Sequence, residues 1–305
     1  MEKVVISILD YNQESTTLDC LASLEKIDTT DLVLEVVVID NYPQHTLVVD
    51  SSKYKNFHLT LIKNIDNLGF SGGHNVGFSF ALKNGADYVI VLNNDVVVDK
   101  KLVISLVNAA KSSTSIGAVV PKIYFMAGHE YHKDRYTKEQ LGRVFWYAGG
   151  EFDWNNINGK HRGVDEVDTG QYDSGEQIDL LTGCCVLLTR KALKSVKGFD
   201  SRYFLYYEDA DLNTRLKKSG FTIYYEPKAI LWHVNAGATG GSGSVLQDYF
   251  ISRNRLLIGM KYASVRTKFA LIRESIRILR TGREWQKKGV RDFFLRKFGK
   301  GSYQI

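Results

Sequence analysis

Short apolar runs rich in Val, Ile and Leu, set apart by helical stretches, fill the first hundred residues and leave few folds open to this chain. Residues 4–9, 34–39, 59–63 and 88–92 read as strands, and 16–26, 75–84 and 100–112 as helices, with 50–55 weakly helical. Strands alternating with helices in this way build a mainly parallel sheet covered on both faces. In such sheets ligands gather at the carboxyl ends of the strands. Asp10, Asp40 and Asp95 all fall at such ends, so three carboxylates are expected along one edge.

After Pro121 the pattern weakens. Residues 127–177 are polar and aromatic, with little periodicity, and so long an irregular segment suits a binding function. Regular structure is expected again as strands at 178–181 and 185–189, a helix through Leu193, a helix over 209–219, and strands at 222–225 and 230–233. The glycine-rich stretch 236–244 reads as a flexible loop or lid, and residues 246–298 read as helical and basic. Residues 253–300 hold 15 Lys/Arg against 3 Asp/Glu, a net of +12, while the whole 305-residue chain is only +6. The body is therefore acidic and the tail basic. Three cysteines, two of them adjacent, make no disulfide framework and read as reduced core residues. The first strand starts almost at Met1, which leaves no room for a signal peptide, and no apolar run reaches membrane-spanning length. The expected location is the cytoplasm, with the tail suited to peripheral contact with the inner face of the cell membrane.

Two acidic stretches carry most of the chemistry. Asn93-Asn94-Asp95 follows the apolar run 88–92. A turn explains the tripeptide. A strand end presenting Asp95 to Mg²⁺ or Mn²⁺ on a diphosphate, with Asn93 on sugar or ribose hydroxyls, explains it equally. Over a hundred residues later comes Tyr206-Tyr207-Glu208-Asp209-Ala210-Asp211-Leu212. Early acids and late bases suit a helix dipole, but one of Glu208 and Asp209 can instead serve as a general base, partly desolvated by Phe204, Tyr206 and Tyr207. The run from Asn67 to Gly77, with Gly69, Gly72 and Gly73 before Asn75, reads as a glycine-rich loop entering a helix, where backbone approaches a ligand closely and the helix amino terminus favours anions. It is neither a Walker A sequence nor a dinucleotide fingerprint. His233 closes a strand. It reads as a satisfied core histidine or, beside the glycine loop, as an imidazole ligand that would favour Mn²⁺ slightly over Mg²⁺.

In this order and spacing the motifs resemble family 2 glycosyltransferases of the GT-A fold, especially their bacterial rhamnosyltransferase-like branch. The pieces are Ile8-Leu9-Asp10-Tyr11-Asn12, Val38-Ile39-Asp40-Asn41, the loop 67–77, Leu92-Asn93-Asn94-Asp95, Gly198-Phe199-Asp200, residues 204–212 and residues 249–254. The resemblance implies a catalytic domain over 1–245, with a nucleotide-sugar half (1–120) and an acceptor half with the base (121–245), then a basic helical extension over 246–305. It further implies Tyr11 and Asp40 on the pyrimidine, Asp95 on the metal at the DxD position with Asn93 replacing its first acid, and His233 completing the metal shell. Asp209 becomes the catalytic base beside Glu208, and Arg253 a diphosphate contact. The glycine-loop residues Asn67, Gly69, Gly72, Gly73 and Asn75, with Asn94, complete the donor site. Trp146, Trp154 and Tyr207 are acceptor-side candidates, the tryptophans as sugar-stacking platforms that serve equally as core. The implied reaction inverts configuration, moving a sugar from dTDP-rhamnose or a UDP-sugar to a glycan or lipid-linked glycan in surface polysaccharide synthesis.

Two other classes use similar parts. A nucleotidyltransferase would need a basic glycine-rich loop near the amino terminus, where this chain has Asp10-Tyr11-Asn12-Gln13-Glu14. A non-catalytic nucleotide-sugar-binding scaffold would not need Asp95, Asp209 and His233 together. The tail, with Phe293, Phe294, Leu295 and Phe298, suits an anionic membrane surface or a homodimer contact; no nucleic-acid recognition motif accompanies its charge.

Overall fold

The computed structural model describes residues 1–234 and 243–303. The expected lid, 236–244, lies outside the described residues except for its last two. The elements run β1 (Glu2–Asp10), α1 (Glu14–Leu24), β2 (Leu32–Asp40), β3 (His58–Lys63), α2 (Gly69–Lys83), β4 (Tyr88–Asn93), β5 (Val96–Val98), α3 (Leu102–Lys111) and β6 (Ile116–Phe125). They continue with β7 (Phe145–Tyr147), β8 (Gly150–Asp153), β9 (Asn158–His161), β10 (Glu176–Gln177), β11 (Cys185–Thr189), α4 (Arg190–Val196), α5 (Glu208–Lys218) and β12 (Thr222–His233). Three helices close the chain: α6 (Val245–Tyr262), α7 (Val265–Thr281) and α8 (Glu284–Phe294).

One mixed sheet organises the molecule, in the order β10-β12-β6-β11-β4-β1-β2-β3 with β5 on β12 and β7 on β6. The pairs β1–β2, β1–β4, β2–β3 and β12–β6 are parallel, while β11 runs antiparallel between β4 and β6. Val4, Val5, Ile6, Val36–Ile39 and Val89–Leu92 are buried, as a sheet covered on both faces requires. Cys20, Cys184 and Cys185 are free and buried, as expected.

Several expectations change. The glycine-rich stretch is not a loop: α2 starts at Gly69 and contains Gly72, Gly73 and Gly77. Its glycines serve packing. A Cβ on Gly73 would overlap Leu9 and one on Gly77 would overlap Ser7, so α2 lies directly against β1. His74, within the same run, is fully buried in this helix with Nδ1 3.0 Å from Ser7 Oγ, and burial pushes its pKa down to about 3. Gly77→Ala is expected to cost about 1–3 kcal/mol of stability through overpacking; a denaturation midpoint equal to wild type would remove the packing role.

The segment 127–177 also has more structure than its composition suggested. It holds the β8–β9 hairpin and two short strands, and Lys122 of β6 anchors it through a buried ion pair to Asp168 (3.0 Å) and a second pair to the exposed Asp173. No strand forms at 178–181; the short β10 precedes it. The two strands expected at 222–225 and 230–233 are one, β12, with a bulge between Glu226 and Ile230.

Candidate active site

The register of the sheet builds the site. Asp10 and Asp40 stand opposite each other at the ends of β1 and β2. Asp10 is buried and accepts from Thr17 Oγ1 at 2.7 Å, and burial raises its pKa against that hydrogen bond. A cavity of about 300 Å³ opens beside the two carboxylates, lined also by Asn12, Gln13, Tyr42 and Leu47. Asp40 Oδ1 accepts from the Tyr42 N–H (3.2 Å), and Oδ2 accepts from the Leu47 N–H (3.0 Å) and Lys63 Nζ (3.1 Å). Each carboxylate oxygen takes about two donors, so Oδ1 retains one acceptor position. Tyr11 meets Tyr42 edge-on, with centroids 5.2 Å apart. Tyr42 and Leu47 escaped the sequence reading because nothing local marks a loop as a cavity wall.

Further along the edge, β5 pairs antiparallel with β12 and places His233 opposite Val96. This ladder brings His233 Nε2 to 3.1 Å from Asp95 Oδ1, across 138 residues of sequence. Both side chains are buried, and Asp95 lines a cavity of about 480 Å³ with Thr16, Asp19, Met126 and His129. One carboxylate oxygen and one imidazole nitrogen converging in this way suit Mn²⁺ or Mg²⁺. Among the described residues no cluster of three His, Cys, Asp or Glu could hold a metal. The pair therefore fits a cation that draws its remaining ligands from substrate phosphates and water.

From His233 a row of rings leads inward. Trp146 meets His233 at 4.7 Å and His161 at 4.9 Å, both edge-on. His161, which the sequence did not single out, lines a cavity of about 220 Å³ together with Phe152, Tyr206, Tyr207, Asp209 and Ile251. Its own burial lowers its pKa to about 4, so the ring is neutral at physiological pH. Asp209 sits in the first turn of α5 and accepts from the Ala210 N–H at 2.7 Å. Burial raises its pKa against this bond and a second from the Gly183 backbone. Glu208 is buried with Oε2 unpartnered among the described residues, and burial plus the neighbouring Asp209 charge hold it well above the usual carboxylate range. Of the two acids, Asp209 is the one equipped to be ionised.

The backbone that delivers Asp209 is strained. Phe204, Tyr206 and Tyr207 have φ of 67°, 69° and 69°. Non-glycine residues in this left-handed region cost about 1–3 kcal/mol each and persist where surroundings over-determine them. Here the surroundings are α6. Asn254 Nδ2 donates to the carbonyls of Tyr203 (2.8 Å), Leu205 (2.8 Å) and Tyr206 (2.9 Å). Arg253 donates to the carbonyls of Tyr203 (2.8 Å) and Gly299 (2.6 Å). Asp211, fully buried, ties α5 itself to Lys261 (2.5 Å) and Tyr262 (2.9 Å) of the same helix.

This geometry corrects part of the expected donor site. Arg253 is fully buried with its guanidinium spent on backbone carbonyls and Asn254, so it does not reach a diphosphate. The Asn75 amide is committed to the Phe199 backbone at both ends, and Asn67 Oδ1 accepts from Asn41 and from Gly69 N–H. Asn94 is turned towards Thr17 (2.9 Å). A Cβ on Gly69 would collide with Phe204, and one on Gly72 with Leu68, so with Gly73 these positions are packing contacts and not a phosphate cradle. Trp154 packs on Phe152 and Tyr262, away from the His233–His161 row in its ring contacts. Asn93 ends β4, half-buried. Tyr207 lines the Asp209 cavity and donates to the Ile157 carbonyl at 3.1 Å.

Comparison with known proteins agrees with this architecture. The N-acetylglucosaminyl-diphospho-decaprenol L-rhamnosyltransferases of two strains of Mycobacterium tuberculosis are 32% identical to the chain over 158 residues, covering 50% of it and 49% of the relative. The chain thus matches about half the length of these curated relatives. Among solved structures, GalNAc-T7 with UDP, GalNAc and Mn²⁺ superposes with a TM-score of 0.61 at 14% identity, over 96% of this chain and 58% of that one. The mannosyltransferase PcManGT of Pyrobaculum calidifontis, with GDP-Man and Mn²⁺, gives 0.51 at 12% identity, over 99% and 76%. At these identities the structures establish a shared GT-A fold. The family described as "Glycosyltransferase like family 2" matches residues 3–257, and with that span the chain belongs to the family 2 glycosyltransferases.

Proposed function

We propose that the chain transfers a hexosyl group, with inversion, from a pyrimidine nucleotide diphosphate to a hydroxyl of a glycan or lipid-linked glycan. The observation that carries this reading is one continuous edge. The Asp95–His233 pair stands at one end, the raised-pKa Asp209 at the other, and Trp146 and His161 lie between. Asp10, Asp40 and Tyr42 form the wall for the base. The remaining acceptor position on Asp40 Oδ1 suits the ring N–H of uracil or thymine, and Tyr11 and Tyr42 supply aromatic surface. Asp95 and His233 hold the divalent cation, which when bound offsets the negative charge that develops on the diphosphate leaving group. Asp209 accepts the proton of the acceptor hydroxyl as that oxygen attacks the anomeric carbon from the face opposite the diphosphate. A single displacement assisted by a single base inverts the centre; the two-carboxylate scheme of retaining hydrolases is not needed. Burial and the neighbouring Asp209 charge raise the pKa of Glu208, which disfavours a second negative charge beside the base.

The rhamnosyltransferase relatives support L-rhamnose as the transferred sugar and a lipid-linked diphosphate sugar as acceptor. The solved neighbours, holding UDP or GDP-Man with Mn²⁺, support a nucleotide sugar and a divalent cation.

Calorimetric titration with UDP, dTDP, GDP and CDP, with and without Mn²⁺, tests the donor side. Binding of dTDP or UDP that requires Mn²⁺ is expected, and Asp95→Ala should abolish the metal requirement together with most of the affinity. Equal binding of all four diphosphates without metal, or none at all, would overturn the assignment of Asp95 and Asp40.

A further inference from the structure

Helix α7 has two apolar faces where a helix on the protein surface needs one. Leu271 and Ile278, with the small Thr267 and Ser275, face the rest of the C-terminal extension. Val265, Phe269, Ile272 and Ile276 recur at spacings of four, three and four, which at 100° per residue confines them to an arc of about 60°. This second face is open: Val265 is 70% exposed, Phe269 72% and Ile276 47%. On the same wheel Arg266, Arg273 and Arg280 flank it on one side and Lys268 on the other. None of these four cations has an acidic partner among the described residues, whereas Arg255, Arg283 and Lys288 are paired. A solvated face would carry Lys and Glu in place of Phe and Val. An apolar row bordered by unpaired Arg and Lys matches the boundary between headgroups and acyl chains in a membrane with anionic lipid. The sequence expectation placed the contact on Phe293, Phe294, Leu295 and Phe298; of these Phe293 and Phe298 are partly buried in a cluster shared with Tyr203 and Ala210, while Phe294 and Leu295 are exposed.

We propose that α7 docks this face on an anionic bilayer, with Val265, Phe269 and Ile276 entering the acyl boundary and Arg266, Lys268, Arg273 and Arg280 on lipid phosphates. Among the described residues no helix is long and apolar enough to cross a membrane, so the contact lies in the interface plane. Two copies meeting through this face would bring eight unpaired cations together, which disfavours a symmetric dimer. The surface stands whatever the acceptor proves to be. The opposite face of α7 lies nearer the site: Ile251 of α6 lines both the Asp209 cavity and the groove that Leu271 and Ile278 share with α6.

Sedimentation of the full chain with phosphatidylcholine vesicles, with and without phosphatidylglycerol, tests the proposal. The chain is expected to pellet with the anionic vesicles, weakly or not at all with pure phosphatidylcholine, and less as salt rises. Phe269→Ser, and separately the pair Arg273→Glu and Arg280→Glu, should weaken partitioning by about tenfold or more. Both should leave the melting temperature and diphosphate binding in solution unchanged, because these side chains are exposed. Failure to pellet with anionic vesicles, or equal pelleting of wild type and variants, overturns the proposal. So does a dimer in analytical ultracentrifugation that Phe269→Ser dissociates.

Discussion

Asp209→Asn should lower sugar transfer by about a hundred- to ten-thousand-fold, the range a positioned general base contributes. Asparagine keeps the size and can keep the hydrogen bond from the Ala210 N–H, but it cannot take a proton. Nucleotide diphosphate binding should survive, because Asp209 lines the inner cavity and not the one beside Asp10 and Asp40. The pH profile supplies a second readout. Burial raises the pKa of Asp209, and the base must be ionised to act, so the rate should fall with acidity at a pH above the value of about 4 typical of free carboxylates. Residual transfer by the variant should lack that acid limb. Transfer at the wild-type rate, or an unchanged acid limb in the variant, would remove Asp209 from the reaction. Calorimetry and a rate profile on the same preparation separate a lost base from a lost donor site.

Asn254→Ala carries the second large effect, without any contact to substrate. Three carbonyls, of Tyr203, Leu205 and Tyr206, share its amide, and they belong to the turn that contains two of the three left-handed residues and leads into the third. Loss of a buried donor serving several acceptors is expected to cost about 2 kcal/mol of stability. The turn would also be free to relax, and Asp209 lies three residues beyond Tyr206. A displacement of about 1 Å at a reacting group can cost about a hundredfold in rate. The expected signature is a fall in kcat with nucleotide affinity retained and a lowered melting temperature. Asn254→Asp should be at least as damaging, since it aims an acceptor at three acceptors. A variant with wild-type melting and wild-type kcat would show that the turn holds itself.

These effects mark where sequence legibility ends. Strands β1, β2, β4 and β11 could be read directly, since runs of Val, Ile and Leu buried on both faces admit little else. The carboxylates at their ends followed from topology. The start of α2 was misread because glycine signals a loop locally, while its reason here is the nearness of Ser7 and Leu9 on a neighbouring strand. The segment 127–177 resisted because its strands are two to four residues long and are held by partners such as Lys122 far away in sequence. Arg253 looked like a phosphate ligand because an arginine in a basic helix usually meets water or anions; only the fold reveals four carbonyls around it. His161 gave no sequence signal at all. A single histidine in a polar hairpin becomes notable only when Trp146 and Asp209 are placed beside it.

Helix α6 has a consequence for anyone who would re-engineer the chain. Its Ile251 forms part of the wall around Asp209, while Asn254, one turn later, holds the turn that aims the same carboxylate. Exchanging the C-terminal helices between relatives as a cassette would therefore not alter acceptor choice alone. A chimera that imports a foreign α6 without its matching 203–207 turn would mis-set the base, and libraries built to change acceptor preference should vary the two segments as one unit.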